Sequence, residues 1–372
     1  MTLRVVVAPD SFKESLPAAS AAAAIRRGVL AARPDATVTL VPVSDGGEGL
    51  LGVVVDEQMI THHTVVRNAL GEPIEAPWLQ SGARAIIEVA TVVGLADIPA
   101  AQRNVMAADT RGVGSLIRAA LDAGCVQIVL GLGGTATNDG GAGMLTTLGA
   151  RFLDAAGLVL EPTPEKLAGL HQIDLTNLDP RLAHVQLVMA SDVTSPLVGP
   201  SGASATFGPQ KGASPEQVDR LDQLLSNLAF LVEVQQDQSV SAMPGAGAAG
   251  GLGWALLVLG ASPRPGFEMV AELVGLEPAL AAADLVITGE GSFDEQSLQG
   301  KVVAGIATMA RRHQTACHVL AGQVSGIDES VLREHGIASA TAITPTGTPL
   351  RVALAEAEQN LQRAAEVLVR SV

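Results

Sequence analysis

Near both ends of the chain, short apolar runs rich in β-branched residues alternate with longer alanine-rich stretches. The runs cover 3–8, 37–43, 285–288, 318–321 and 338–343. The stretches at 17–33, 302–313 and 351–369 read as helices, the first with Ser15 as its expected N-cap. Strands that are apolar almost without interruption, separated by helices, predict βα units around a parallel sheet covered on both faces. Ligand loops of such a sheet lie at the carboxyl ends of its strands, and here those ends carry PDSFKES, SDGGEG, TGEG and AGQ. The middle has another rhythm. ITHHTVV, IEAPWLQ and ARAIIEVA follow one another closely, broken by Gly71, Pro73 and Gly82, which predicts antiparallel or mixed pairing. Further strands are expected at 126–130 and 185–190, with helices near 112–123, 142–148 and 215–234. The predicted fold is α/β with two α/β domains. One is Rossmann-like with a parallel sheet, formed by 1–60 plus 283–372; the other, 61–282, is inserted and has a mixed sheet.

Composition narrows this picture. At 372 residues the chain has room for two domains of ordinary size. With 48% hydrophobic and 16% charged residues it reads as compact and globular, with disorder not expected. A formal net charge of −15 argues against nucleic acid, whose binding rests on a basic surface that neutralises phosphates. Any anionic ligand has to be met locally. The longest apolar stretches, such as 252–261, fall short of the ~20 residues of a membrane-spanning helix. The N-terminus turns polar after one strand's length without the pattern of a secretion signal, so a cytoplasmic location is expected. Cys125 and Cys317 read as buried hydrophobes rather than a disulfide or metal pair. The seven histidines form no ligand spacing, and the adjacent His62 and His63 would point to opposite faces of a strand. The expected partners are small molecules; a homodimer is compatible with the sequence and undecided by it.

Lysine is rare, four residues against nineteen arginines. Three of the four, Lys13 in APDSFKES, Lys211 in FGPQKGA and Lys301 in LQGKVV, lie in stretches flanked by glycine or serine. An ammonium is a compact, mobile charge suited to a phosphate in transfer, whereas a guanidinium suits static bidentate pairing, so the pattern points to anion handling. The strongest local motif is VQIVLGLGGTATNDGGAGMLTTLG, a strand entering a glycine-dense turn and then a helix near Gly141. Glycines let backbone amides approach an anion, and a helix start adds N–H groups and a positive dipole end. Gly133, Gly134, Thr135, Asn138 and Asp139 are its candidates for nucleotide phosphates. Two other readings stay open. Gly131, Gly133 and Ala136 match the G-x-G-x-x-A dinucleotide fingerprint, with Asp154 about 20 residues on as a ribose-binding acid; the turn is otherwise purely structural. The segment MPGAGAAGGLGWALL, from Met243, either cradles a second anion or permits close helix packing. In PVSDGGEG, Asp45 and Glu48 suit hydroxyl or metal contact. TGEGSFDEQSLQGK gathers Glu290, Asp294 and Lys301, a set able to hold Mg²⁺ and the phosphates it bridges. Asp192, in MASDVTSPL, is expected at a partly shielded strand end, where a carboxylate can act as base toward an alcohol.

Taken in order, APDSFKES, PVSDGGEG, GLGGTATNDGGAGM, SDVTSPLVGPSGASATFGPQKGA, PGAGAAGGLG and LVITGEGSFDEQSLQGK resemble the bacterial glycerate kinases over essentially the whole chain. The resemblance implies ATP-dependent phosphorylation of D-glycerate, most often to 2-phosphoglycerate, with Mg²⁺ required. The chain departs from the family pattern at Ser191, Thr194 and Ser195 around Asp192 and Pro196, where relatives commonly read CDVDNPL. It also has IEVATVVGL for IEMAAASGL, and ADTRGVGSLI for a YGTGELI-like run. These changes bear on the hydroxy-acid pocket and leave the charged residues in place.

Phosphoryl transfer demands an in-line acceptor, a fixed triphosphate and neutralised charge. On that template, amides of 133–139 hold the nucleotide phosphates, Lys211 and Lys301 neutralise them, and Glu290 or Asp294 positions Mg²⁺. D-Glycerate lies toward Asp10, Ser11, Lys13 and the loop of Asp45 and Glu48. Its carboxylate faces Lys13 and its 2-hydroxyl faces Asp192 or Asp45, one of which takes the proton. The rivals are an NAD-dependent 2-hydroxy acid dehydrogenase, for which no histidine stands in a proton-donor motif, and a non-catalytic sugar-acid sensor, for which no output segment is visible. With aromatics at 2% and no tyrosine, an apolar adenine slot is expected rather than a stacked ring.

Overall fold

A computed structural model of the chain describes residues 2–237, 239–298 and 302–372. The chain forms two compact units, Met1–Asp45 with Gly52–Val54 and Gly266–Val372, and Gly46–Leu51 with Val55–Pro265. It opens in the first unit with β1 (Arg4–Val7), a helix Ala18–Ala32 and β2 (Thr37–Leu40). In the second it builds β3 (Ile60–Arg67), β4 (Pro73–Ser81), β5 (Arg84–Glu88), β6 (Gln127–Gly131), β7 (Arg151–Leu153), β8 (Gln172–Asp174), β9 (Gln186–Ala190) and β10 (Ser262–Arg264). It returns to the first with β11 (Leu285–Phe293), β12 (Ala316–Val324) and β13 (Ile337–Ala342).

The first unit's sheet runs β13-β12-β11-β1-β2 with every neighbour parallel, the arrangement expected from its uninterrupted apolar strands. Val5, Val7, Leu285, Ile287 and Leu320 share one core with Ile25 and Val29 of the helix Ala18–Ala32 and with Leu361 and Ala365 of the helix Ala357–Ser371. Full burial of each large aliphatic side chain contributes about 1.5–3 kcal/mol. The alanine and glycine content of the first helix has a packing reason. A Cβ at Gly28 would stand 2.2 Å from the Gln362 carbonyl oxygen, so the two helices cross at backbone distance.

Four local expectations change. Ser15 does not cap the first helix; Pro17 occupies that position, and the Ser15 hydroxyl donates to the Leu354 carbonyl. The segment TGEG is not a loop, because β11 continues through Glu290 to the fully buried Phe293, with Ser292 and Phe293 pairing Gln323 and Val324. The last helical stretch is two helices, Leu350–Ala355 and Ala357–Ser371. The return to the first unit falls at Gly266 rather than 283. The helix Gly266–Leu273 belongs there because its Phe267 ring packs against Gly305, where a Cβ would meet it at 2.2 Å.

The second unit's sheet runs β10-β9-β6-β5-β4-β3, parallel from β10 to β5 and antiparallel from β5 to β3. The closely spaced middle runs thus form the antiparallel part of a mixed sheet. β7 and β8 form a separate antiparallel pair. Trp78, Trp254, Ile87, Ile128 and Leu130 lie in this unit's core. His62 stacks on Trp78 and bonds Gln80, a structural use of the histidine. Cys125 and Cys317 are free and buried, and burial pushes the Cys317 thiol up to about 12. Among the described residues no helix is long and apolar enough to cross a membrane.

Candidate active site

In the first unit the loop after β1 is pinned on β11. The Asp10 amide donates to the Gly289 carbonyl at 2.9 Å, and Phe12 is buried, its amide donating to Leu16 at 2.8 Å. Gly289 admits no side chain, since a Cβ would lie 1.9 Å from the Leu320 carbonyl and 3.4 Å from the Phe12 ring. This anchoring leaves Asp10 half-buried and Lys13 exposed. The Asp10 carboxylate accepts the Ser11 amide at 2.6 Å. Burial, and then the Asp45 and Glu290 carboxylates, push its pKa up to about 7 against the pull of the Ser11 amide and Lys13. Five of the residues predicted for the site, Asp10, Ser11, Lys13, Asp45 and Glu290, therefore feel one another in this unit.

Asp294 is used differently from the expectation. Its Oδ1 accepts the amides of Gln296 at 2.9 Å and Ser297 at 3.3 Å, capping a turn. Lys301 lies outside the described residues. Among the described residues no group of three or more His, Cys, Asp or Glu side chains is placed to hold a metal ion. Mg²⁺ commonly uses only one or two carboxylates plus ligand phosphates, however. Behind burial and Asp45, the Glu290 carboxylate also raises the Asp10 pKa, and a divalent cation near Glu290 would relieve that repulsion, so the donor chemistry fits.

In the second unit the glycine-dense turn follows β6. Its helix, Ala142–Thr147, does not offer its start to an anion as expected, because the first amides are satisfied internally. Asp139, fully buried, accepts the amides of Gly141 at 3.1 Å and Gly143 at 3.0 Å, and also the amide and hydroxyl of Thr110 at 2.9 and 2.7 Å. The Thr110 hydroxyl in turn accepts the Met144 amide at 2.9 Å. Burial, then the Asp109 carboxylate, push the Asp139 pKa up to about 6 against these donors. Asp139 is thus a structural cap and not a ligand contact. Thr110 was missed by sequence reasoning; its place just before the helix Arg111–Asp122 was the available signal.

Elsewhere in the turn the amides of Leu132, Ala136 and Gly140 donate to Ala190, Val93 and Gly250 carbonyls. Those of Gly133, Gly134, Thr135, Thr137, Asn138 and Asp139 donate to no protein group among the described residues. Gly133 is half-buried and Gly134 exposed, while 135–139 are buried. The turn can be approached only at its two glycines. Asn138 Nδ2 donates to Ser204 Oγ at 3.0 Å. Lys211, expected to face phosphate, is only 3% exposed and donates from Nζ to the Thr137 carbonyl at 2.7 Å. Burial holds its pKa down at about 7, with Asp139 partly opposing.

Residues 46–48 of SDGGEG lie on this turn: a Cβ at Gly131 would meet the Gly46 carbonyl at 2.3 Å, and one at Gly133 would meet Gly47 Cα at 2.7 Å. Their loop is ordered by Glu88, a second residue that sequence reasoning missed. It is 6% exposed and accepts the amides of Gly49 at 2.8 Å and Leu51 at 3.0 Å. A lone carboxylate inside the apolar run AIIEVA was the signal. Glu48, Glu88, Thr91, Asp97 and Gly134 line a cavity of about 270 Å³.

Two other expectations fail here. Asp192 is exposed, so the shielding that would raise its proton affinity is missing in this unit. Asp154 caps a tight turn by accepting the amides of Ala156 and Leu158, both at 2.9 Å, after a strand outside the main sheet, so no ribose-binding acid completes a dinucleotide fingerprint. The segment from Met243 packs rather than cradles, since 245–258 is buried throughout.

The chain is similar to known proteins over essentially its whole length. Residues 5–372 match the model of the glycerate kinase family. The chain is 42% identical to a glycerate kinase of Bacillus subtilis, covering 100% of this chain and 98% of that protein. It is 43% identical to the glycerate 2-kinase of Escherichia coli, over 97% and 96% of the two chains. The crystal structure of a putative glycerate kinase 2 from Salmonella typhimurium superposes with a TM-score of 0.85 at 41% identity, covering 100% of this chain and 98% of that one.

Proposed function

This chain belongs to the glycerate kinase family, and from that premise we propose that it transfers the γ-phosphoryl group of ATP to D-glycerate, at the 2-hydroxyl, giving 2-phosphoglycerate. The observation that carries the chemistry is the turn after β6, which keeps six amides uncommitted and opens at Gly133 and Gly134. Amides held in a fixed array stabilise phosphate charge without reorganising as the reaction proceeds. In this reading the nucleotide phosphates rest on Gly133, Gly134 and the Thr135 amide. Mg²⁺, when bound, would supply neutralisation of the phosphate charge, and Glu290 would hold it directly or through water.

Glycerate is taken by Asp10, Ser11, Lys13 and Asp45. The exposed Lys13 ammonium pairs with the glycerate carboxylate. The proton of the attacking hydroxyl passes to Asp10, the half-buried carboxylate of the group, in place of Asp192 or Asp45, which are both exposed. Incubation of the protein with Mg-ATP and D-glycerate, followed by NMR of the product, tests the whole reading. 2-Phosphoglycerate is expected; 3-phosphoglycerate would overturn the regiochemistry, and no phosphoglycerate would overturn the activity.

A further inference from the structure

A sheet edge leaves a row of backbone donors and acceptors open, and folded chains blunt such edges by shortness, proline, charge or a bulge. β2 is blunted by its length of four residues, and β10 by having three, one of them Pro263. β7 and β8 have three residues each. β13 has six, but its pairing shifts register opposite Cys317 and His318, the mark of a bulge, and beyond Ile337 it presents only alanine, serine and threonine. Among the described residues β3 is the exception. It ends the second unit's sheet and pairs with β4 without a break over eight residues. It contains no proline and no glycine, and its single full charge is Arg67, at its end.

The Asn68 amide donates to the Glu72 carbonyl at 2.8 Å, in register with the ladder between β3 and β4. Bonded and non-bonded positions alternate in an antiparallel pair, so His62, Thr64 and Val66 turn their backbone groups to β4 while Thr61, His63, Val65 and Arg67 turn theirs outward. Pro73 and Pro77 of β4, which have no N–H, stand opposite Arg67 and His63, in keeping with that alternation. The side chains divide in the same way. His62 stacks on Trp78, Thr64 Oγ1 accepts from Trp78 Nε1 at 3.0 Å, and Val66 is buried, whereas Thr61, His63, Val65 and Arg67 are exposed, Val65 to 75%. Ile60, at the start of the strand, is exposed as well.

Charge settles what this edge fits. Asp56 and Glu57, both exposed, form the turn that leads into β3, and the exposed Arg67 closes the strand. A strand that is negative at its start and positive at its end is complementary to its own antiparallel copy. The chain has a net charge of −15, yet two copies meeting along β3 would set no carboxylate against another. We propose that β3 is the interface of a homodimer, in which two copies pair antiparallel about an axis near His63 and join their six-stranded sheets into one. Each Arg67 then meets Asp56 and Glu57 of the partner subunit, the outward amides and carbonyls gain partners, and Ile60 and Val65 lose exposed apolar surface. Self-pairing of one edge is closed by its two-fold axis, so assembly stops at two copies. Eight paired residues span about 27 Å, which is a small interface, so the dimer belongs to the weak, reversible class.

The test is sedimentation velocity of the full chain over about 1–300 µM, joined to amide hydrogen exchange of a peptide covering 60–67. The variants are Val65→Lys, Arg67→Glu, and Arg67→Glu combined with Glu57→Arg. The wild type is expected to pass from monomer to dimer with a Kd on the order of 10 µM, and exchange in 60–67 should slow as its concentration rises. Val65→Lys places two ammonium groups near the axis and should raise the Kd at least about tenfold. Arg67→Glu should raise it about fivefold, and the combined variant, with the charges exchanged, should return it to within about twofold of wild type. A wild type that stays monomeric over the whole range would overturn the proposal. So would a dimer whose Kd is the same in Val65→Lys and Arg67→Glu, since the interface would then lie on another surface, or exchange in 60–67 that ignores concentration. A combined variant no better than Arg67→Glu alone would overturn the antiparallel pairing of the two strand ends. Should Val65→Lys fail to fold, Arg67→Glu and the combined variant, altered only at exposed positions, decide the matter by the same readouts.

Discussion

Replacing Gly250 by alanine asks whether the second glycine segment is the backing of the first. Gly250 has φ +67, and an added Cβ would stand 2.0 Å from the Thr137 carbonyl oxygen and 2.7 Å from Asn138 Cα, both backbone atoms that cannot swing aside. Two effects add. A left-handed backbone costs a residue with a Cβ about 1–2 kcal/mol, and forcing extra volume into a packed interior costs about 1–3 kcal/mol more. The total is roughly 2–5 kcal/mol. Gly260, just beyond the other end of the same helical segment, is the control: its φ is +82, and a Cβ there meets nothing within 4 Å, so only the first cost applies. For a unit of roughly 200 residues, each kcal/mol lowers the melting temperature by about 2–4 °C. Calorimetric scans should therefore place Gly250→Ala about 10 °C below wild type and Gly260→Ala about 4 °C below. Since the clash falls on the turn proposed to bind phosphate, the ATP KM should rise in Gly250→Ala and stay put in Gly260→Ala. Equal melting shifts, or a wild-type ATP KM in Gly250→Ala, would refute the account of the two segments as one packed body.

Three further outcomes are expected. Thr110→Val keeps the side-chain shape but removes a hydroxyl that donates to Asp139 and accepts from Met144; it should lower stability by about 2–4 kcal/mol in denaturant titration, and a loss below about 1 kcal/mol would contradict the capping role. Asp10→Asn should reduce kcat by about 10²–10⁴-fold while Asp192→Asn stays within about tenfold; the reverse order in steady-state kinetics would return the proton to Asp192. Burial lowers the Lys211 pKa from an ordinary 10.5 to about 7. Between those values the unfolded chain holds a proton that the folded chain lacks, so stability from this group rises with pH across the window and is lost as pH falls through 7. Asp139 acts in the opposite sense at lower pH: raised from 3.8 to about 6, its contribution is present below 3.8 and lost as pH rises through 6. Denaturation curves from pH 7 to 10 should steepen in favour of wild type over Lys211→Met, and parallel curves would rule this linkage out.

The order and kind of elements were legible because their causes are local. Uninterrupted apolar runs at both ends forecast the parallel sheet, and closely spaced runs broken by Gly71, Pro73 and Gly82 forecast the antiparallel strands β3 to β5. The glycine-dense turn after β6 was visible for the same reason, since backbone freedom is written in residue type. The misses share another cause. TGEG looked like a loop because its glycines weaken a strand, yet pairing with β12, some thirty residues further along the chain, carries β11 through it. Ser15 looked like a cap, but a carbonyl of Leu354 took its hydroxyl.

The sequence alone thus settled which chemical groups are present and roughly on which turns they sit, since composition, periodicity and turn propensity act over a few residues. Only the tertiary structure decided which of those groups remain available. Asp139 is consumed by Thr110, Gly141 and Gly143, Lys211 is turned inward onto Thr137 from 74 residues away, Asp192 is solvent-exposed, and Asp10 is the carboxylate that burial and its neighbours push up. Availability depends on solvent exclusion and on partners distant in the chain, and neither is encoded in any short stretch of residues.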